Sequence, residues 1–223
     1  MAYYLAIQNT YTHVQMALYE NANELTCMEI DKTRASKDCI VVLQEMLTLH
    51  KITLNNLEFI AANQGPGPFT TLRVVIATIN GLSFSSKIPL IGINAIEAFL
   101  QEYQLTDYHN KVVLMNAFGN DAYYGIQINN SYEDSGCGQI ESILLQVTQK
   151  IPDGNILLLG NGVELFGSQI TSSLEQRAVF LDPNPQTVSL KHIAQIGLQR
   201  WQTQKDITFQ LQPLYFKSAF VAK

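Results

Sequence analysis

The sequence predicts an α/β protein made of two similar lobes, each running βββαβα. Three observations carry this. Short apolar or alternating runs are interleaved with amphipathic segments along all 223 residues, an order that demands sheets covered by helices. The first half reads strand, strand, strand, helix, strand, helix, and a weaker copy of that order follows a polar break at Asp107–Asn110. A glycine- and proline-rich turn, Gln64 to Arg73, joins a strand directly to a helix in the first half.

Tyr3–Ile7 alternates and reads as a strand, Val14–Tyr19 as a second, and Leu25–Ile30 as a third after the turn Asn21-Ala22-Asn23. Ser36 reads as the N-cap of a helix running to about His50, with Ile40, Leu43, Met46 and Leu47 forming one apolar stripe. Phe59–Asn63 is a short apolar strand, Thr70–Ser85 a helix, Leu90–Ile93 a strand and Ala95–Tyr103 a short helix. In the second half Lys111–Asn116 and Ala122–Ile128 read as strands around a turn and Glu141–Lys150 as a helix. Asn155–Leu159 is a buried-type strand, Val163–Leu174 a helix and Ala178–Leu181 a strand. Ser189–Gln204 is a helix capped by Ser189. The expected lobes are residues 1–106 and 107–223, with the 189–204 helix able to pack back on the first. Two such halves suggest the actin/Hsp70/sugar-kinase (ASKHA) architecture.

Hydrophobic residues make up 47% of the chain and charged residues only 15%, a globular composition with surface to spare for a partner. The formal net charge is −5 and no Lys/Arg cluster occurs, so any nucleic acid is expected to be held mostly by another subunit. Cys27, Cys39 and Cys137 lie far apart without a CxxC pair, which argues against a disulfide framework or a zinc site. No stretch has the length and apolarity of a bilayer span, and a cytoplasmic location is expected, with no membrane partner.

The turn at Gln64–Arg73 is the most informative motif. Strand, glycine-rich turn and helix N-terminus can present backbone N–H groups to an anion. Gly65 and Gly67 permit left-handed dihedrals, the prolines stiffen the turn, and Thr70 or Thr71 can cap the helix. Gly65, Pro66, Gly67, Phe69, Thr70 and Arg73 are therefore the candidate ligand loop. No Gly-Lys-Ser/Thr closes it and no third glycine follows at dinucleotide spacing, so it is neither a P-loop nor a Rossmann fingerprint. The helix beyond it carries Leu72, Val74, Val75, Ile76, Ile79, Leu82 and Phe84, which leaves almost no polar side. One face can cover a sheet and the other needs another cover. Ala77, Gly81 and Ser85 recur every four residues and would let a second helix approach closely. The expected docking surface is Ile40, Leu43, Met46, Leu47, Val74, Ala77, Thr78, Gly81 and Ser85.

Gly65-Pro66-Gly67-Pro68-Phe69-Thr70-Thr71-Leu72-Arg73 resembles the Gly-Pro-Gly-Ser-Phe-Thr-Gly-Leu/Val-Arg signature of the bacterial TsaB (YeaZ) family, with Pro68 and Thr71 as departures. Leu5-Ala6-Ile7, Ile88–Ile93 and Pro213-Leu214-Tyr215-Phe216-Lys217 fall in that family's order. The resemblance implies a partner subunit in threonylcarbamoyladenosine synthesis, pairing with the metal-bearing TsaD protein and the ATPase TsaE. The charge balance adds the expectation that tRNA is met only indirectly, and the docking surface the expectation of a homodimer when the chain is alone. Where the family pattern has Asp in the first hairpin, this chain has Gln8, followed by Asn9 and Thr10. The positions matching TsaD's metal-binding His-x-x-x-His pair are Ala95 and Phe99, and neither can ligate. The hairpin Asn116–Tyr124 resembles the family's Asp-Ala-Arg-x-x-Glu-Val-Tyr, with Asn116 for Asp and Phe118 for Arg.

Among the remaining candidates, Gly160-Asn161-Gly162 offers a second possible anion nest, weighed against an ordinary turn. His13, His50, His109 and His192 are scattered without ligand spacing, Glu97 and Glu102 read as solvated, and Cys39 reads as packed. No catalytic residue, metal or cofactor is expected. The competing reading is an ATP-dependent sugar- or acetate-kinase-like phosphotransferase of the same superfamily.

Overall fold

The computed structural model describes residues 2–216, so Lys217 of the final motif lies outside it. Its contacts divide the chain into two compact units, each with its own sheet. Among the described residues unit 1 is 2–95 with Ser189–Leu214, and unit 2 is Ile96–Val188 with Tyr215 and Phe216. The seam expected at 106/107 thus falls within unit 2, while the helix after Ser189 belongs to unit 1.

In unit 1, β1 (Tyr3–Asn9), β2 (His13–Glu20) and β3 (Asn23–Asp31) form an antiparallel meander. α1 (Ala35–Leu49) leads to β4 (Leu57–Gly65), α2 (Phe69–Ser86) and β5 (Leu90–Asn94). β4 is parallel to both β1 and β5, which the intervening helices make possible. A two-residue strand near the end of the chain, Ile207–Thr208, adds an antiparallel edge beside β5. Alternate residues of these strands point to opposite faces. Leu5, Ile7, Met16, Leu18, Ile60 and Ala62 face α1 and α2. On the other side Tyr4 stacks between Tyr19 and Phe59, and Phe59 stacks on Trp201 of the C-terminal helix Leu190–Gln202. That helix lies close to the sheet because Gly197 has no side chain: an ideal Cβ there would sit 2.4 Å from Ala61 Cβ.

Unit 2 begins with all but the first residue of α3 (Ala95–Glu102). β6 (Asn110–Asn116), β7 (Asp121–Ile128) and β8 (Ser131–Gln139) form its meander. α4 (Ile140–Lys150), β9 (Ile156–Leu159), α5 (Gly162–Leu165), α6 (Gly167–Leu174) and β10 (Ala178–Phe180) follow, the strands in the order β10-β9-β6-β7-β8. The terminal strand and helix of unit 1 are then β11 (Ile207–Thr208) and α7 (Leu190–Gln202) in chain order.

Several expectations change. β8 completes the second βββ meander and was missed because it is a half-exposed edge strand, Ser-Tyr-Glu-Asp-Ser-Gly-Cys-Gly-Gln, with no apolar alternation to announce it. The single helix expected over Val163–Leu174 breaks at Phe166 into α5 and α6. α1 is preceded by Arg34 rather than capped by Ser36, and Pro68 occupies the cap position of α2 instead of either threonine. Ser189 does cap α7, its hydroxyl accepting the His192 N–H at 3.1 Å.

Candidate functional site

The glycine-proline turn is tighter than its sequence suggests. Gly65 ends β4 with φ +105°, a conformation that favours glycine, and an ideal Cβ would lie 2.9 Å from Leu72 Cδ2 and 3.1 Å from the Leu214 carbonyl oxygen. Gly67, expected to be equally constrained, is not in the left-handed region. Its smallness serves a close approach, since an ideal Cβ would lie 3.2 Å from Asn9 Nδ2. Substituting the two should therefore have unequal effects. In urea melts Gly65→Ala is expected to cost about 1–3 kcal/mol, and Gly67→Ala less than about 1 kcal/mol because one amide can shift. Equal losses at both positions would contradict this assignment of roles.

Behind the turn lies a buried set of amides. Gln8 is 0% exposed, and its Nε2 donates to Gln15 Oε1 at 2.7 Å. Asn63 donates to Gln8 Oε1 at 3.5 Å and accepts the Gly65 N–H at 2.8 Å. Thr10 closes the hairpin by accepting the His13 N–H and donating to its carbonyl. Asn9 is buried beside Gly67, and among the described residues neither of its side-chain amide atoms has a hydrogen-bond partner. Where a kinase hairpin needs charge to hold a hard cation, this one supplies neutral amides engaged with one another. Of the remaining loop residues, Pro66 and Gly67 are buried, Thr70 is exposed, and the Arg73 guanidinium lies 3.6 Å from the centroid of the Phe69 ring one turn before it.

α2 is not as uniformly apolar around its circumference as its sequence suggested, and the single stripe expected on α1 is divided. Leu43, Met46 and Leu47 are sealed in the core, while Ile40 is 52% exposed, so the expected four-residue stripe splits between two sides. The outward side of α2 carries Thr70, Arg73, Ala77, Gly81, Phe84 and Ser85, with Val74 and Thr78 half-buried at its margin. Phe84 is 79% exposed, and an ideal Cβ on Gly81 would meet nothing within 4 Å. The hydroxyls of Thr78 and Ser85 donate back to the Val74 and Leu82 carbonyls. The strip is therefore smooth over Ala77 and Gly81, with Arg73 toward one end and Lys87 Nζ 5.0 Å from the Phe84 ring centroid at the other.

Sequence reasoning missed what covers another part of α2. The segment Phe209–Leu214 runs along it as a strap. Asn80 holds Leu211 through both backbone groups at 2.9 Å, and Ser83 Oγ donates to the Phe209 carbonyl. Gln64 ties the strap to the turn by donating to the Gln212 carbonyl and accepting the Leu214 N–H. Leu211 enters the core at 6% exposure. The short run Phe209-Gln210-Leu211-Gln212-Pro213-Leu214 gave little signal, because its partners lie more than 120 residues away.

The metal positions do not fit a metal. Ala95 and Phe99 are both 0% exposed and carry no lone pair. Among the described residues no three His, Cys, Asp or Glu side chains come together as a ligand set. Cys39 is 3% exposed, and burial pushes its thiol up to about 11, away from reactivity. Gly160 and Gly162 press against the Leu114 backbone, and Asn161 Oδ1 accepts the Asn116 N–H at 3.0 Å, so that turn is a packing device. Among the described residues no helix is long and apolar enough to cross a membrane.

Comparison with known proteins adds the following. The family model described as TsaD, tRNA N6-adenosine threonylcarbamoyltransferase, matches residues 29–151, more than half of the chain. The TsaB protein of Buchnera aphidicola from Schizaphis graminum, a tRNA threonylcarbamoyladenosine biosynthesis protein, is 30% identical over 129 residues, 57% of this chain and 61% of that relative. The matches to two further TsaB relatives span only 50% and 51% of their lengths. YeaZ of Pseudomonas aeruginosa superposes with a TM-score of 0.73 at 17% identity, over 96% of this chain and 100% of that one. Component A of the (R)-2-hydroxyglutaryl-CoA dehydratase of Acidaminococcus fermentans superposes with a TM-score of 0.50 at 8% identity, over 91% and 99%. These likenesses fit the ASKHA-type fold expected from the two βββαβα halves.

Proposed function

The chain belongs to the TsaD family whose model it matches, on its TsaB (YeaZ) side, and from that membership we propose that it serves tRNA threonylcarbamoyladenosine biosynthesis as a non-catalytic subunit. Its partner is a metal-bearing TsaD-type subunit, with a TsaE-type ATPase as the further component. It acts in the cytoplasm and meets tRNA only through the assembly. Its task is to scaffold and activate the subunit that transfers the threonylcarbamoyl group to adenosine next to the anticodon.

The observation that carries this reading is the outward strip of α2. Ala77 and Gly81 let a partner helix come close, and Phe84 offers an anchor beside them. Apolar surface of this kind gains about 25 cal/mol per Å² when covered. In the absence of TsaD the same strip pairs with its copy in an isologous homodimer. The proposed docking set therefore loses the core residues Leu43, Met46 and Leu47, keeps Ile40, Val74, Ala77, Thr78, Gly81 and Ser85, and gains Phe84. The Gly65–Phe69 turn is structural first, setting where α2 starts.

Two features favour a subunit over a phosphotransferase: the neutral amide set around Gln8, and the non-ligating pair Ala95 and Phe99. The test is co-purification with the TsaD-type subunit of the same organism, followed by light scattering of the pair; a TsaD-type subunit that ignores the chain would sink the proposal. A second expected outcome is no magnesium-dependent ATP hydrolysis by the isolated, metal-cleaned protein in a phosphate-release assay. Robust turnover that disappears on substituting Gly65 or Gly67 would instead establish the kinase-like reading.

A further inference from the structure

Unit 2 contains a pocket unrelated to the docking strip, on the sheet face opposite its main apolar core. Val112 and Ile126 point into that core, so their neighbours Lys111, Gly125 and Gln127 point the other way. α3 covers this second face by seating Ile96 where Gly125 lacks a side chain: an ideal Cβ there would collide with Ile96 Cγ2 at 2.1 Å. Beyond Leu100 the cover stops, and a pocket of about 440 Å³ opens between the end of α3 and β7–β8. That volume lies within the ordinary range of small-molecule sites.

Most of the side chains that line it carry polar groups, beside Leu100 and the Tyr132 ring. Lys111, Gln127 and Tyr132 are laterally paired across β6, β7 and β8 and so share one face. Lys111 is 0% exposed and donates to Asn130 Oδ1 at 2.7 Å. Gln127 lines the pocket at 5% exposure, and its buried Oε1 has no hydrogen-bond partner among the described residues. A buried amide acceptor left unpaired destabilises the free protein, and a donor on a bound molecule removes that penalty. Gln101 and Gln104 rise from the last turn of α3 and its exit, Glu97 sits one turn earlier, and Asn130 closes the other side. The Tyr132 ring, 46% exposed, stands at the rim.

We propose that this pocket binds a neutral polyhydroxylated small molecule of monosaccharide size. Carboxamides donate and accept at once, as sugar hydroxyls do, so Gln101, Gln104 and Gln127 match a polyol better than an anion or an apolar ligand, with Asn130 already held by Lys111 and His109. Glu97, the one carboxylate among the lining residues, accepts from hydroxyls as the carboxamides do. A hydroxyl of the ligand supplies the donor that Gln127 Oε1 lacks, and the exposed face of Tyr132 offers a flat apolar surface for the sugar's C–H edge.

The test uses the full chain and saturation-transfer difference NMR with glucose, galactose, N-acetylglucosamine and myo-inositol as probes, and adenosine and spermidine as planar and cationic counter-probes. At least one polyol should show transfer with a dissociation constant in the millimolar range. Tyr132→Ala, and separately Gln101→Ala with Gln104→Ala, should weaken it about tenfold at unchanged melting temperature, since all three residues are exposed. Gln127→Met should abolish transfer while raising the melting temperature, because it deletes the unpaired acceptor from the free protein; a purely structural glutamine would not behave so. Absence of transfer from every polyol at about 10 mM, transfer that survives all three variants, or binding of adenosine or spermidine alone would each overturn the proposal.

Discussion

Gly81→Leu is expected to leave the protein folded and to abolish its capture of the TsaD-type subunit. An ideal Cβ at Gly81 meets nothing within 4 Å, so leucine extends outward without disturbing the helix packing beneath. Replacing glycine inside a helix should even raise the stability of the chain by up to about 1 kcal/mol. At the proposed interface the effect reverses. Helices that approach over Ala77 and Gly81 have no room for a leucine side chain, and prising them apart also uncovers Phe84. The expected loss is at least about 100-fold in affinity, or about 2.7 kcal/mol. Gly81→Ala is the control, more stable than the parent and still competent to associate. Calorimetric titration with the partner, and light scattering of the chain alone, read both arms. A folded Gly81→Leu variant with parental affinity would place the interface elsewhere.

Gly160→Val is expected to be the most damaging single change in unit 2. Gly160 has φ +101°, and an ideal Cβ would lie 2.2 Å from the Leu114 carbonyl oxygen, a backbone atom of β6 that cannot rotate away. Gly162 repeats the contact, its ideal Cβ 2.9 Å from the same oxygen. The strained dihedral and the forced separation of β9 from β6 together should cost more than about 4 kcal/mol. The molecule provides an internal comparison. Its single tryptophan, Trp201, stacks on Phe59 in unit 1 with ring centroids 5.2 Å apart. Trp201 fluorescence should therefore follow unit 1, while far-ultraviolet circular dichroism should show unit 2 melting early. A variant within about 1 kcal/mol of the parent would mean that the turn relaxes freely.

The sequence determined what local chemistry can determine. The strands β1 to β5, the turn between β4 and α2, the Ser189 cap and the burial of Cys39 all follow from periodicity, glycine and proline placement or hydrophobicity read over a few neighbouring residues. The replacement of charge by amide at Gln8 and of imidazole at Ala95 and Phe99 was also legible, because it is a matter of residue identity alone. Tertiary structure decided the rest. Which glycine of the turn needs a positive φ depends on what stands behind each, Leu214 for Gly65 and Asn9 for Gly67. Which side of α1 is free depends on how the helix rolls onto the sheet, and this divides Ile40 from Leu43, Met46 and Leu47. The strap on α2 pairs Asn80 with Leu211 across 131 residues, and β8 and β11 owe their state to the partner strand, not to their own pattern. Backbone hydrogen bonds and packing contacts made at long range leave little periodic trace in the segments that make them, so they become visible only once the chain has closed on itself.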